Sequence, residues 1–367
     1  MNIFVKYVLL LTLAFSIIIS CKEKEEVKEV IEIEQSNKEF PVISEEFLSP
    51  WNDDDNIDSP TFYQTADGRN LIIATSKAKH NLFIYNAENG ELVKTIGKEG
   101  NGQMEFARPN GIWVIENLLL VCERDNHRIQ VINLKDFSHV GFIGEEYLKY
   151  PYGITVYKNS DDEFTLFVTD NYEGENDEAY PHYYKLNERV HKYSFKYDES
   201  NRNFESKLIK KFGDTSGPGM LWVVESIYAD PDNNRLLIAE EDKNNLGIKI
   251  YDLEGNFTGI IIGDDEFEYQ AEGIALYDCG NGEGYWFCTD QDYYNLGNNT
   301  FHIYDRKSMK YLSSFISKTS GNTDGIWLSQ LPFGKFNKGI FIAVHNDGGV
   351  GIFDLNNILN TLNLKCK

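Results

Sequence analysis

Basic residues are scarce in this sequence: 35 lysines and arginines stand against 58 aspartates and glutamates, a formal net charge of −23 over 367 residues. That balance excludes nucleic acid as a partner, because a phosphate backbone is held by clustered cationic side chains. Cysteine is sparse too. The five cysteines make no CxxC pair and keep no histidine-rich company, which excludes zinc-finger and thioredoxin-like motifs. Cys279 and Cys288 flank the turn at residues 280–283 without facing each other across a tight hairpin, so they read as small apolar fillers and not as a disulfide. No apolar run reaches the roughly 20 residues of a membrane-spanning helix. Convincing helical periodicity is missing beyond the N-terminal region. What remains is 41% hydrophobic and 14% aromatic, ample for a substantial core.

Lys6 precedes an apolar run over residues 7–19, closed by Ile18-Ile19-Ser20-Cys21. A short basic region, a short apolar segment and small residues at its end predict a secretory signal over residues 1–20. The ending resembles a bacterial lipobox. That resemblance implies lipidation of Cys21 and a protein held by its lipid at the bacterial cell envelope, on the outer membrane or cell surface. Residues 21–40 are charge-dense and almost free of turn formers, so they read as a solvated tether.

The rest, residues 41–360, is organised by a repeat. Six segments share an inner strand that often begins x-Gly-Ile, a turn, and a second apolar strand ending on polar residues. The inner strands start at Ser59, Asn110, Tyr152, Glu225, Glu272 and Asp324, giving steps of 51, 42, 73, 47 and 52 residues. Alternating apolar residues with Asp, Asn and Gly turns at this period predict antiparallel four-stranded blades. Six copies predict an all-β, six-bladed β-propeller in a single domain. The sixth copy shows only three strands, so the missing one is expected near residues 39–48.

In such a blade the start of the first strand and the end of the second emerge on one face. Two concentric sets follow. The inner set is Ser59 (beside Asp58), Asn110, Tyr152, Glu225, Glu272 and Asp324. The outer set is Lys77 and Lys79, residues 123–125, Asp170, residues 240–242, Asp290, and Asn346 with Asp347. Three consecutive acids, Glu240-Glu241-Asp242, repel one another unless water, a cation or a basic partner takes up the field. Convergent oxygen ligands without His or Cys favour hard cations, Ca²⁺ foremost.

Several stretches, in order, resemble the calcium-dependent β-propeller phytases: "DNIDSPTF", "CERDN", "YPYGITVY", "ADPDNNRLLIAEED", "AEGIALYDCGNGEGYWF", "FHIYDR" and "NTDGI". The resemblance implies hydrolysis of inositol hexakisphosphate (phytate) or a related phosphomonoester. It implies Asp58, Glu225, Glu241, Glu272 and Asp324 as calcium ligands. It also implies Arg124, Tyr152 and Lys79 as phosphate-contacting residues beside the catalytic Glu241. The sequence departs from the pattern at Ser59, Gln270, Ala78, Asn171 and Lys318. "GNGQMEFARPNGIWV" also resembles NHL-type propeller repeats, which usually bind rather than catalyse. A non-catalytic ligand-binding propeller and a calcium-dependent propeller esterase or lactonase therefore stand as alternatives. The long insertion at residues 171–190, rich in Tyr and acids, suggests a lid or a stacking surface, and Trp113, Trp222, Trp286 and Trp327 are expected to pack between blades. The chain is expected to act as a monomer.

Overall fold

The computed structural model describes residues 40–175, 180–292 and 299–366. The expected signal peptide, Cys21 and nearly all of the tether lie outside the described residues. The chain from Pro41 to Lys367 is one compact unit of six sheets.

Five blades are built from consecutive strands. Their inner strands are Ile57–Gln64, Pro109–Ile115, Pro151–Lys158, Val224–Asp230 and Gln270–Gly280, and the inner strand of the sixth is Ile326–Ser329. The sixth blade takes its outermost strand, Phe47–Leu48, from the start of the domain. That strand pairs antiparallel with Gly349–Asp354 and closes the ring within the stretch where the missing strand was expected. One addition was not anticipated: Val42–Ile43 runs parallel to Tyr311–Ser317 as a fifth strand of blade five. Side chains alternate between faces along a strand, so each sheet buries both surfaces against its neighbours. Leu120, Val131, Leu166 and Phe195 of blades two and three form one such inter-blade core.

The x-Gly-Ile signature has a geometric cause. In five blades the pairing of the inner strand slips at its start, for example between Ile57 and Pro60 and between Pro151 and Ile154. Such a bulge re-aims a side chain, and here it turns Asp58 and Tyr152 toward the axis. The freed amides of Ser59 and Gly153 donate to the hydroxyls of Thr75 and Thr169, at 3.1 and 2.8 Å. Six inner strands crowd together at this level. A Cβ on Gly153 would lie 2.0 Å from the carbonyl oxygen of Glu225, and one on Gly325 would lie 2.5 Å from that of Asp58. Glycine is therefore a packing requirement in four of the blades, whereas Ser59 and Ser226 stand in that row in blades one and four. The row also shows that blade one is offset by one residue from the sequence reading: Asp58 holds the ring position, and Ser59 occupies the glycine row.

Three residues past each ring position the side chains alternate in size. Trp113, Tyr228 and Trp327 come from blades two, four and six, whereas blades one, three and five supply Thr61, Thr155 and Ala275. The three aromatics meet across the axis, Trp113 lying 4.9 Å from Trp327 and 5.1 Å from Tyr228 between ring centroids. Trp113 and Trp327 thus plug the channel rather than simply packing between blades. A cavity of ≈ 50 Å³ remains beneath the ring, room for little more than a water molecule.

Two expectations are corrected at the C-terminus. A helix, α1, spans Leu355–Thr361, capped by the Asp354 carboxylate, and seats Leu355, Ile358 and Leu359 against Phe301 and Phe353. Cys279 is not an apolar filler: it forms a disulfide with Cys366, 87 residues away. Cys122 and Cys288 are buried free thiols.

Candidate metal and phosphate site

The acids at the ends of the second strands do not form an outer ring of cation ligands. They clamp loops. Asp170 accepts from the amides of Lys149 and Tyr150, at 3.0 and 2.6 Å, just before the inner strand of its own blade. Glu240 does the same with Trp222 and Val223, and Asp290 with Glu268 and Tyr269. Each is buried and faces a basic side chain of the third strand: Lys249 lies 3.3 Å from Glu240, His302 lies 3.4 Å from Asp290, and His191 lies 3.6 Å from Asp170. In blade two, Glu123 meets Arg128 at 3.2 Å and accepts from Gln130. His191 is neutral, because burial, assisted by Lys211, pushes its pKa down to about 3.

Strand alternation then sends the following residue to the channel. Glu240 is the clamp, Glu241 enters the channel mouth, and Asp242 ties down its own loop by accepting from Asn244 and Asn245. Three adjacent acids thus have three separate tasks. The positions equivalent to Glu241 are Lys77, Arg124, Asn171, Gln291 and Asn346.

Glu225, Glu241 and Glu272 converge, each offering a carboxylate oxygen within 4.8 Å of the others. Burial raises the pKa of Glu225 and of Glu272 well above the carboxylate range, and their mutual repulsion with Glu241 adds to it. Glu241 is raised by burial too. Gln270 donates to Glu241 Oε2 at 3.3 Å, while Glu241 Oε1 is buried without a hydrogen-bond partner. Calcium–oxygen distances of about 2.4 Å place two ligands of one ion at most about 5 Å apart. Three carboxylates at this spacing, one with an orphaned oxygen, fit a hard divalent cation.

The other two expected ligands are engaged differently. Lys77 Nζ lies 2.8 Å from Asp58 Oδ1 and 3.0 Å from Asp324 Oδ2, and Lys77 is buried. Burial alone would lower the lysine's pKa; Asp324, Asp58 and Glu225 outweigh it and raise the pKa well above the ordinary value. Asp58 also accepts from Ser59 Oγ at 2.8 Å and from the Tyr152 hydroxyl at 3.3 Å. Asp324 accepts in addition from Gln291. Asp347, held by Asn322 at 3.2 Å, completes this half; burial and then Asp324 push its pKa up to about 7.

Lys77 is the residue whose role the sequence reading missed, although it stood in the outer set. Its neighbour Lys79, expected to contact phosphate, lies exposed on the rim near Asp55. Lys318 is exposed beside the N-terminal strand, its amide donating to Ile43, and so is absent from the ring. Asn171 accepts from the amide of Val224. Arg124 is part-exposed at the channel mouth, with Nε donating to Asp125 at 2.8 Å. Asn110, fully buried in the ring, has neither side-chain polar atom partnered.

The insertion at 171–190 is described except for residues 176–179. Buried Arg189 anchors it by donating to the carbonyls of Leu221, Asp170 and Tyr172. Tyr172, His182 and Tyr184 line a rim pocket there with Lys149 and Lys185.

The model of the family described as "6-bladed beta-propeller" matches residues 20–215, and the phytase family model matches residues 189–352. Glu225, Glu241, Glu272 and Asp324 fall within the phytase match. Asp58, Lys77, Arg124 and Tyr152 fall within the other. Phytase-family propellers are generally calcium-dependent. Among solved structures, a chain of Kuenenia stuttgartiensis hydrazine synthase is similar over 90% of this chain and 82% of its own, at 11% identity and a TM-score of 0.46. A chain of a nidogen/laminin complex is similar over 76% of this chain and 92% of its own, at 12% identity and a TM-score of 0.45. Neither likeness bears on function.

Proposed function

This chain belongs to the 6-bladed beta-propeller family, and from that premise we propose that it is a calcium-dependent phosphomonoester hydrolase of phytase type, acting on phytate or a related phosphate ester. The observation that carries this reading is the convergence of Glu225, Glu241 and Glu272 within 4.8 Å, inside the stretch matched by the phytase model.

Ca²⁺ held by these three carboxylates would supply charge neutralisation and water activation at the phosphate. The chain's own residues do the rest. Gln270 fixes Glu241 through its hydrogen bond. Arg124 offers a guanidinium suited to two phosphate oxygens at once. Lys77 contributes fixed positive charge at the opposite side of the ring, and the Tyr152 hydroxyl steadies Asp58. The aromatic plug lies directly beneath the ring. Without a divalent cation the acids would repel a polyanion, so substrate binding itself depends on the metal.

The deciding assay is phosphate release from phytate and from p-nitrophenyl phosphate, in Ca²⁺ and in chelator. Release that requires Ca²⁺ and falls about a hundredfold or more in Arg124→Ala supports the proposal. Binding of phytate with no release under either condition defeats it. That outcome would favour a non-catalytic binding propeller, the reading supported by the Lys77 ammonium standing among the expected metal ligands.

Placement outside the cytoplasm, anchored through lipidated Cys21, belongs to the same proposal. It is supported by the Cys279–Cys366 disulfide, a bond that persists in oxidising compartments. The chain completes its own ring, which supports action as a monomer.

A further inference from the structure

Among the described residues, six carboxylates face the channel mouth: Asp58, Glu225, Glu241, Glu272, Asp324 and Asp347. They fall into two halves of different character. In one half Glu225, Glu241 and Glu272 converge within 4.8 Å, and Lys77 acts on Glu225 and Glu241 through space. The other half is bridged by that lysine. Lys77 of blade one reaches Asp58 of its own blade and Asp324 of blade six, at 2.8 and 3.0 Å. The remaining oxygens of these two acids are also engaged, Asp58 Oδ2 by Ser59 and Asp324 Oδ1 by Gln291, while Asp347 is held by Asn322.

We propose that Lys77 is a built-in counter-cation that closes the Asp58–Asp324 half of the ring to metal, so that the protein takes a single divalent cation, at Glu225, Glu241 and Glu272. The inference rests on the metal reading above and adds the number of ions and the residue that sets it. An ammonium and a divalent cation compete for the same carboxylate oxygens. Moving the ammonium away would strand a buried positive charge, a costly state. A lysine tethered by its own strand also costs no translational freedom, whereas a second ion would have to be captured from solution. The ring therefore carries one exchangeable charge and one permanent charge. A phosphate ester would meet the metal on one side and the chain's own cation on the other.

Equilibrium dialysis of the purified protein against Ca²⁺ tests this. One ion per chain is expected for the parent and two for Lys77→Gln, with the second lost again in Lys77→Gln/Asp58→Asn. Two or more ions in the parent, or one in both parent and Lys77→Gln, would overturn the inference while leaving the glutamate site standing. No bound ion in the parent would overturn the metal reading itself. Should Lys77→Gln fail to fold, Asp58→Asn in the otherwise unchanged protein decides. With Lys77 as counter-cation, its Ca²⁺ stoichiometry stays at one and affinity changes by less than about tenfold; a larger loss makes Asp58 a ligand and ends the proposal.

Discussion

Lys77 bridges Asp58 and Asp324 across the seam at which the propeller closes, joining residues 247 positions apart in the chain by a buried ion pair. Ring closure at that seam therefore has a polar fastening at the axis as well as the strand Phe47–Leu48 at the periphery.

Stability in the absence of metal should fall as pH rises. The pKa values of Glu225, Glu241 and Glu272 are raised by folding, so their contribution is present below the unfolded carboxylate pKa of about 4.5 and is lost as pH climbs above it. Calcium at the proposed site would bind the ionised form of the native state and reverse the loss. Melting temperatures with and without Ca²⁺ at pH 5 and pH 8 should show a small calcium increment at the lower pH and a larger one at the higher. Equal increments would mean that the triad is not the binding site.

Adjacent Glu240 and Glu241 should respond oppositely to the same substitution. Glu240→Gln leaves the Lys249 ammonium buried without its counter-charge, at a cost of about 3 kcal/mol, yet should leave calcium stoichiometry unchanged. Glu241→Gln should raise the melting temperature in chelator, since it relieves repulsion, while abolishing the calcium increment. Denaturant unfolding and calcium titration of both variants check the pair. Loss of calcium binding in Glu240→Gln at intact fold would contradict the clamp assignment.

Acid should destabilise the blade-three clamp in a window of its own. His191 has a pKa of about 3 in the fold against about 6.5 unfolded, so the stability it contributes is complete above pH 6.5 and is lost as pH falls below that value. In His191→Gln the pH dependence of unfolding between pH 6.5 and pH 4 should flatten relative to the parent. An unaltered slope would show that the imidazole is protonated in the fold.

The disulfide should contribute about 3 kcal/mol. Cys279→Ser and Cys366→Ser are expected to lower stability equally, with the double variant no worse than either single, as chemical denaturation would show. Additive losses would mean that the two sulfurs act independently.

Cys21→Ser should move the protein from the detergent phase to the aqueous phase on phase separation. Retention in the detergent phase would remove the lipid anchor from the account.

Blade number, most of the inner ring and Glu241 were legible in the sequence because x-Gly-Ile recurs in four of the six blades, and there the ring residue precedes the glycine. Blade one is offset by one residue because Ser59-Pro60 stands in place of Gly-Ile there, whereas blade four keeps the isoleucine after Ser226. The clamps were misread for a related reason. A carboxylate that ties down amides and one that faces the channel are neighbours on an alternating strand, and composition does not tell Glu240 from Glu241. Lys77 stands in the outer set by strand position alone, which does not tell that its ammonium turns inward to two acids of the ring. Cys366 found Cys279 only through the fold, since 87 residues separate them.

The plug of Trp113, Tyr228 and Trp327 gives the disk an electrical polarity as well as a floor. Aromatic side chains polarise far less than water, so the potential of the ring is expelled upward and focused through the mouth. A pore open at both ends would divide it between two faces. With the proposed cation site, cations would be drawn along one axis from about a Debye length away, roughly 10 Å at 0.1 M salt, and three hydrocarbon-rich side chains outside that site would decide the side from which an ion arrives.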